Sequence, residues 1–106
     1  MNFTQTIAVR SDNPDALVRL LADWDDQQAT VDVMGYIGTH VLADRESPGE
    51  YLIVAEFAAV EPGVPAAEEA ARNNERPETQ EWARRLREFI QGEPVYRHYD
   101  ELYRTG

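Results

Sequence analysis

The segment Tyr51-Leu52-Ile53-Val54-Ala55-Glu56-Phe57 restricts the possible folds more than any other stretch of the chain. Its β-branched and aromatic residues mark a strand. Successive side chains of a strand point to opposite faces. Tyr51, Ile53, Ala55 and Phe57 therefore make one face, and Leu52, Val54 and the following Ala58 join Glu56 on the other. In the strand expected over 33–43, Tyr36 and Leu42 oppose Ile37, Val41 and Ala43, so that element is apolar on both sides too. A sheet with one solvated face alternates apolar with polar residues. This one needs cover front and back.

Two amphipathic segments supply part of that cover. Leu17, Leu20, Leu21, Trp24 and Gln28 fall on one helical stripe. Asn13 can cap that helix, Pro14 suits its first position, and Asp15 favours the positive end of its dipole. It should fray near Ala29-Thr30. A second helix should begin near Ala66, then kink or restart at Pro77, with Asn73 or Asn74 as cap. Beyond the break Trp82, Leu86, Phe89 and Ile90 form the next stripe, Glu81 and Arg85 an i,i+4 pair, and Gly92 a C-terminal stop. Strands are expected over about 2–10 and 94–100, and the polar loop 44–50 makes the two middle strands a hairpin. The order β-α-β-β-α-β gives an α+β, ferredoxin-like, four-stranded antiparallel sheet with both helices on one face, as a single domain over 1–106. The other face is most cheaply covered by a second copy, so a homodimer through the sheet face is the expected partner.

Composition removes several classes of function. Ten basic and twenty acidic residues leave a formal charge of −10, which repels phosphate backbones, so no nucleic-acid partner is expected. The longest apolar runs are about five residues, too short to span a membrane. The start carries no signal-like pattern, and a cytoplasmic location is expected. With no cysteine there are no disulfides or thiolate sites, and with every basic residue an arginine there is no Schiff-base lysine. Ser11 and Ser47, the two serines, sit in turn-like contexts with no nucleophile elbow. Asp23, Asp25, Asp26 and Asp32 lack EF-hand spacing, since Gln28 and Met34 stand where Gly and a bidentate acid belong; no metal site is expected.

The remaining polar residues each have a functional and a structural reading. His40 is either a proton acceptor or a packed core or interface residue. His98, on the same side as Tyr96, is either oriented by Asp100 or is a surface or dimer-contact residue. Glu56, if buried, could act as a base; otherwise it sits at an edge or pairs with an arginine such as Arg10 or Arg97 across the sheet. Trp24 and Trp82 pack as core, and any pocket between helix and sheet would take its shape from them.

Gly35-Tyr36-Ile37-Gly38-Thr39-His40-Val41, the loop with Ser47-Pro48-Gly49, and Tyr51 to Phe57 together resemble the central hairpin of the antibiotic biosynthesis monooxygenase-like family. The element order matches along essentially the whole chain. The resemblance implies a dimeric α/β barrel with a ligand pocket in each subunit between sheet and helices. For catalytic members it implies either cofactor-free oxygenation of aromatic polyketides or oxidative haem breakdown. The sequence departs from the family where a strand-end Trp is Phe57 and where a helix His is replaced by Arg72-Asn73-Asn74. The haem-degrading branch has an Asn on the first strand, where this chain offers Gln5 or Thr6. Cofactor-free oxygenation needs only a pocket that stabilises a deprotonated, electron-rich substrate. The expected catalytic set is His40, Asn73, Asn74 and Gln5, and the expected substrate-binding set Phe57, Trp82, Arg72 and Tyr36. The expected ligand is a small apolar or aromatic molecule, with no cofactor. A non-catalytic ligand-binding or interaction barrel is the alternative, and haem binding and degradation a further one.

Overall fold

The computed structural model describes residues 2–30 and 35–106. Val33 and Met34 of the expected second strand and Asp32 of the acidic cluster lie outside the described residues, as do the side chains of Asp25 and Gln28. The elements run β1 (Phe3–Arg10), α1 (Pro14–Thr30), β2 (Tyr36–Ala43), β3 (Glu50–Phe57), α2 (Ala66–Asn74), α3 (Pro77–Arg87) and β4 (Gln91–Asp100). One antiparallel sheet has the order β2-β3-β1-β4, the ferredoxin-like arrangement.

Local chemistry explains most boundaries. Asn13 caps α1 through its side-chain oxygen, which accepts from the Ala16 N–H at 3.2 Å. The expected second helix is two helices, because Pro77 cannot continue the ladder of α2 and instead opens α3 at its first position. Asn73 and Asn74 end α2, and the residue at the N-cap of α3 is Arg76, with no side-chain cap. The α3 helix stops at Arg87, five residues before Gly92. Phe89 N–H bonds to the Leu86 carbonyl at 3.0 Å in a tight turn, and the Phe89 carbonyl accepts from the Ser11 hydroxyl at 2.6 Å. Gly92, with φ +74°, lies at the start of β4, where the register between Ala8 and Arg10 of β1 slips. Glu81 pairs with Arg84 at 2.6 Å rather than with Arg85, whose guanidinium reaches Asp23 of α1 at 3.6 Å.

One register detail changes the faces of β2. Tyr36 pairs with Phe57 but Gly38 with Glu56, so Ile37 is an extra residue, a bulge. Tyr36 consequently lies on the helix side with Phe57, their rings 5.7 Å apart, while His40 and Leu42 lie on the opposite face beside Val54 and Leu52. The expectation that Tyr36 shares a face with Leu42 fails for that reason. The chain enters this strand through Gly35 at φ +82°, where a Cβ would stand 2.5 Å from the Ala58 carbonyl oxygen.

The helix-covered face holds two apolar clusters. One joins Ile7, Val9 and Ile53 to Leu17, Leu20, Leu21 and Leu86; the other joins Phe3 and Phe57 to Ala66 and Ala70. The opposite face has no helix over it among the described residues. At its centre Thr6 and Val54 are buried by their neighbours, while Leu42 and Val95 toward the edges are about half exposed (48% and 49%). Glu56 on this face is paired, but with Arg104 at 3.1 Å rather than Arg10 or Arg97. Arg10 stands opposite Glu50 and is bound to it, and the segment after β4 is held by the Glu101 N–H on the Asn2 carbonyl.

Candidate functional site

The two clusters on the covered face are separated by one row of the sheet. Register places Thr39 beside Ala55, Ala55 beside Gln5, and Gln5 beside His98. On one side of that row run Val41, Ile53, Ile7 and Tyr96; on the other run Tyr36, Phe57 and Phe3. Large side chains in the flanking rows meet the helices, whereas Thr39 and Ala55 are too short and Gln5 is polar. A close-packed interior leaves space only where side chains cannot fill it. A cavity of about 310 Å³ lies over this row, partly open to solvent. That volume is at the small end of ligand pockets.

Trp24 of α1 and Trp82 of α3 form part of the helical wall, their rings 5.8 Å apart and tilted by 49°. Phe57, Tyr36 and Tyr96 add aromatic surface from the sheet. The polar side gathers at the end of α2. Asn74 Nδ2 donates to Gln5 Oε1 at 3.4 Å, a long bond, and the Asn74 carbonyl accepts from Gln80 Nε2 at 2.7 Å. Asn73 is buried and its Oδ1 accepts from Arg76 Nη1 at 3.1 Å. Tyr36 and Thr39 share a hydroxyl–hydroxyl bond of 2.6 Å. Trp82 Nε1 and Thr79 Oγ1, both on wall residues of α3, are buried and meet no partner among the described residues.

No Asp, Glu or Arg is among the described residues that line the cavity. In a chain where 28% of residues are charged, that is a selective arrangement. His98 and the phenols of Tyr36 and Tyr96 are the titratable lining groups. Burial raises the pKa of the Tyr96 phenol, opposed by the charge of Arg87, so this hydroxyl stays protonated at neutral pH. Among the described residues no group of three His, Asp or Glu could hold a metal ion, and no helix is long and apolar enough to cross a membrane.

Six of the eight expected site residues meet in this cavity: Gln5, Asn73, Asn74, Phe57, Trp82 and Tyr36. Two do not. His40 is exposed on the other face of the sheet, where the β2 bulge leaves it. Arg72 points away to Glu61 and Glu68, at 3.3 and 3.6 Å. The histidine that does reach the cavity is His98, which stacks on Phe3 with ring centres 5.8 Å apart. Its alternation with Tyr96 along β4 is visible in the sequence, but its position beside Gln5 depends on the register.

The fold is that of the antibiotic biosynthesis monooxygenase structures. A Nitrosomonas europaea protein assigned as such an enzyme superposes with a TM-score of 0.74 at 14% identity, covering 99% of this chain and 94% of that one. SnoaB, a cofactor-independent oxygenase from Streptomyces nogalater, also gives 0.74, at 13% identity over 97% of this chain and 95% of its own. A further protein so assigned, from Caulobacter crescentus, gives 0.74 at 8% identity, with 96% and 91% covered. No family model matches the sequence, and no curated protein matches it either. At these identities the likeness establishes a shared fold, and function has to be argued from the site.

Proposed function

We propose that this protein binds a small, uncharged aromatic compound in the covered-face cavity and oxygenates it with dioxygen, without a cofactor. The observation that carries this reading is the composition of the wall: among the described residues it has five aromatic residues, a cluster of amides, and no carboxylate or guanidinium. An apolar, uncharged site favours ligands that arrive neutral, because charges buried there without a partner are costly. Amide N–H groups beside the ring can stabilise a ligand oxygen that becomes negative after deprotonation, and preorganised donors of that kind are worth about 10²–10³ in rate. The electron-rich anion then reduces dioxygen directly. The neighbour described as a cofactor-independent oxygenase has the same fold and supports this reading.

The bare sheet face completes the proposal. Leu42, Leu52 and Val95 line an open groove there together with Ala8, edged by the charged residues Arg10, Asp44, Glu50 and Glu93, and a second copy of the chain, laid face to face, would cover the apolar part as a two-fold homodimer.

Oxygen uptake with anthrone- and hydroquinone-type substrates tests the activity. The expected result is substrate-dependent uptake that Asn74→Ala lowers by about 10²-fold. Turnover of no member of the panel, with a ligand co-purifying in the cavity, would instead identify a binding protein without catalysis.

A further inference from the structure

Removing a proton from a neutral substrate needs an acceptor within reach of the cavity, and the amides cannot serve, since they are not basic. Asn73, Asn74, Gln5 and Gln80 offer only amide groups, and Thr39 and Thr79 hydroxyls. The two tyrosines would have to be ionised first. From the described lining residues we infer that His98 is the catalytic proton acceptor, an inference that rests on the oxygenase reading above.

Three observations place it. His98 ends the Thr39–Ala55–Gln5–His98 row that forms the cavity floor, so its ring and the Gln5 amide stand side by side. Its ring lies nearly parallel to Phe3 (22°), which restricts its plane, and the side chain is exposed while lining the cavity. Imidazole is also the commonest side-chain base for reactions at neutral pH. Among the described residues, few groups face it. Tyr96 and Asp100 share its side of β4, Gln5 and Phe3 come from β1, and the facing ends of α2 and α3 contribute amides and the Thr79 hydroxyl. Asp100, level with Phe3, is the one carboxylate on that side of the strand.

The step balances with dioxygen as the oxidant. His98 takes a proton from the ring CH₂ of anthrone, which lies between two aryl rings with the carbonyl across the central ring, and the C–H electron pair delocalises through those rings to the carbonyl oxygen as an enolate. The enolate gives its electrons to dioxygen, a C–O bond forms, and the resulting peroxide takes up a proton. Its O–O bond then breaks as the second hydrogen leaves the carbon. The CH₂ becomes a carbonyl and the other oxygen departs as water, so one dioxygen is consumed per substrate. The imidazolium supplies the proton that the peroxide takes up, and the neutral imidazole then accepts the second hydrogen as a proton and passes it to the departing oxygen.

Three measurements on the full-length chain test the assignment. In His98→Gln the turnover number for anthrone should fall by about 10²–10⁴ at neutral pH, while KM and the affinity for the unreactive product anthraquinone stay within twofold of wild type. The wild-type rate should decline toward acid pH, and the variant should lose that limb. In His98→Ala, added imidazole should restore part of the rate. A wild-type rate and pH profile in His98→Gln would overturn the assignment and leave the oxygenase reading intact. Loss of anthraquinone affinity in parallel with turnover, without imidazole rescue, would also overturn it, as a structural role. A wild-type protein that binds anthraquinone yet consumes no oxygen would instead overturn the oxygenase reading.

Discussion

Ile53 and Val54 are neighbours in sequence on opposite faces of one sheet, and both are buried. Ile53 is buried by helices, in a cluster that includes Leu17, Leu20 and Leu86. Val54 is buried on a face with no helix over it among the described residues, whose edge residues Leu42 and Val95 remain half exposed. The covered face is closed by its own chain and gives up packing in one row, which becomes a cavity. The bare face is apolar without being closed. The same alternation of side chains thus produces a binding site on one side and, in our reading, a surface for a second copy on the other.

The largest effect should come from breaking the covered face. Ile53→Ala removes a side chain that is 1% exposed and should cost about 2–5 kcal/mol in urea unfolding. A loss below about 1 kcal/mol would mean that the helices do not pack as described. On the bare face, Leu42→Asp should leave the far-ultraviolet circular dichroism unchanged. It should lower the particle mass in light scattering from twice 12.1 kDa to 12.1 kDa. Equal masses for wild type and variant would remove the proposed dimer. Within the covered face, Ala55→Leu puts bulk into the short row and should change stability by less than about 1.5 kcal/mol while weakening anthraquinone binding at least tenfold. Unchanged affinity would place the ligand elsewhere. The smallest effect concerns Tyr96. Its pKa is raised in the folded state, so the stabilisation from burying the neutral phenol is present below the ordinary tyrosine value of about 10 and fades as pH climbs through the folded value. Above about pH 10 the wild type should therefore lose stability more steeply than Tyr96→Phe, and parallel curves would contradict the burial of that hydroxyl.

The element order, the cap at Asn13, the hairpin and the break at Pro77 could all be read from the sequence, because each depends on residues within a few positions of one another. The residues whose placement could not be read depend on register. Gly38 in the middle of a strand is a sequence signal for a bulge, and taking it into account would have turned Tyr36 toward the helices and left His40 behind. The row that opens the cavity is built from four different strands. Thr39, Ala55, Gln5 and His98 are unremarkable one at a time and become a site only when pairing lines them up. Arg72 was misplaced for a different reason: on an exposed helix surface its guanidinium is held by the nearby acids Glu61 and Glu68, and linear sequence does not reveal which way such a side chain turns.

The direct test of the two-face account is an amide chemical-shift titration of the wild-type protein with anthraquinone. It should move the signals of Gln5, Thr39, Ala55, Asn74 and His98 and leave those of Leu42, Leu52 and Val95 in place. Shifts concentrated on Leu42, Leu52 and Val95 instead would put the ligand on the bare face and contradict the account.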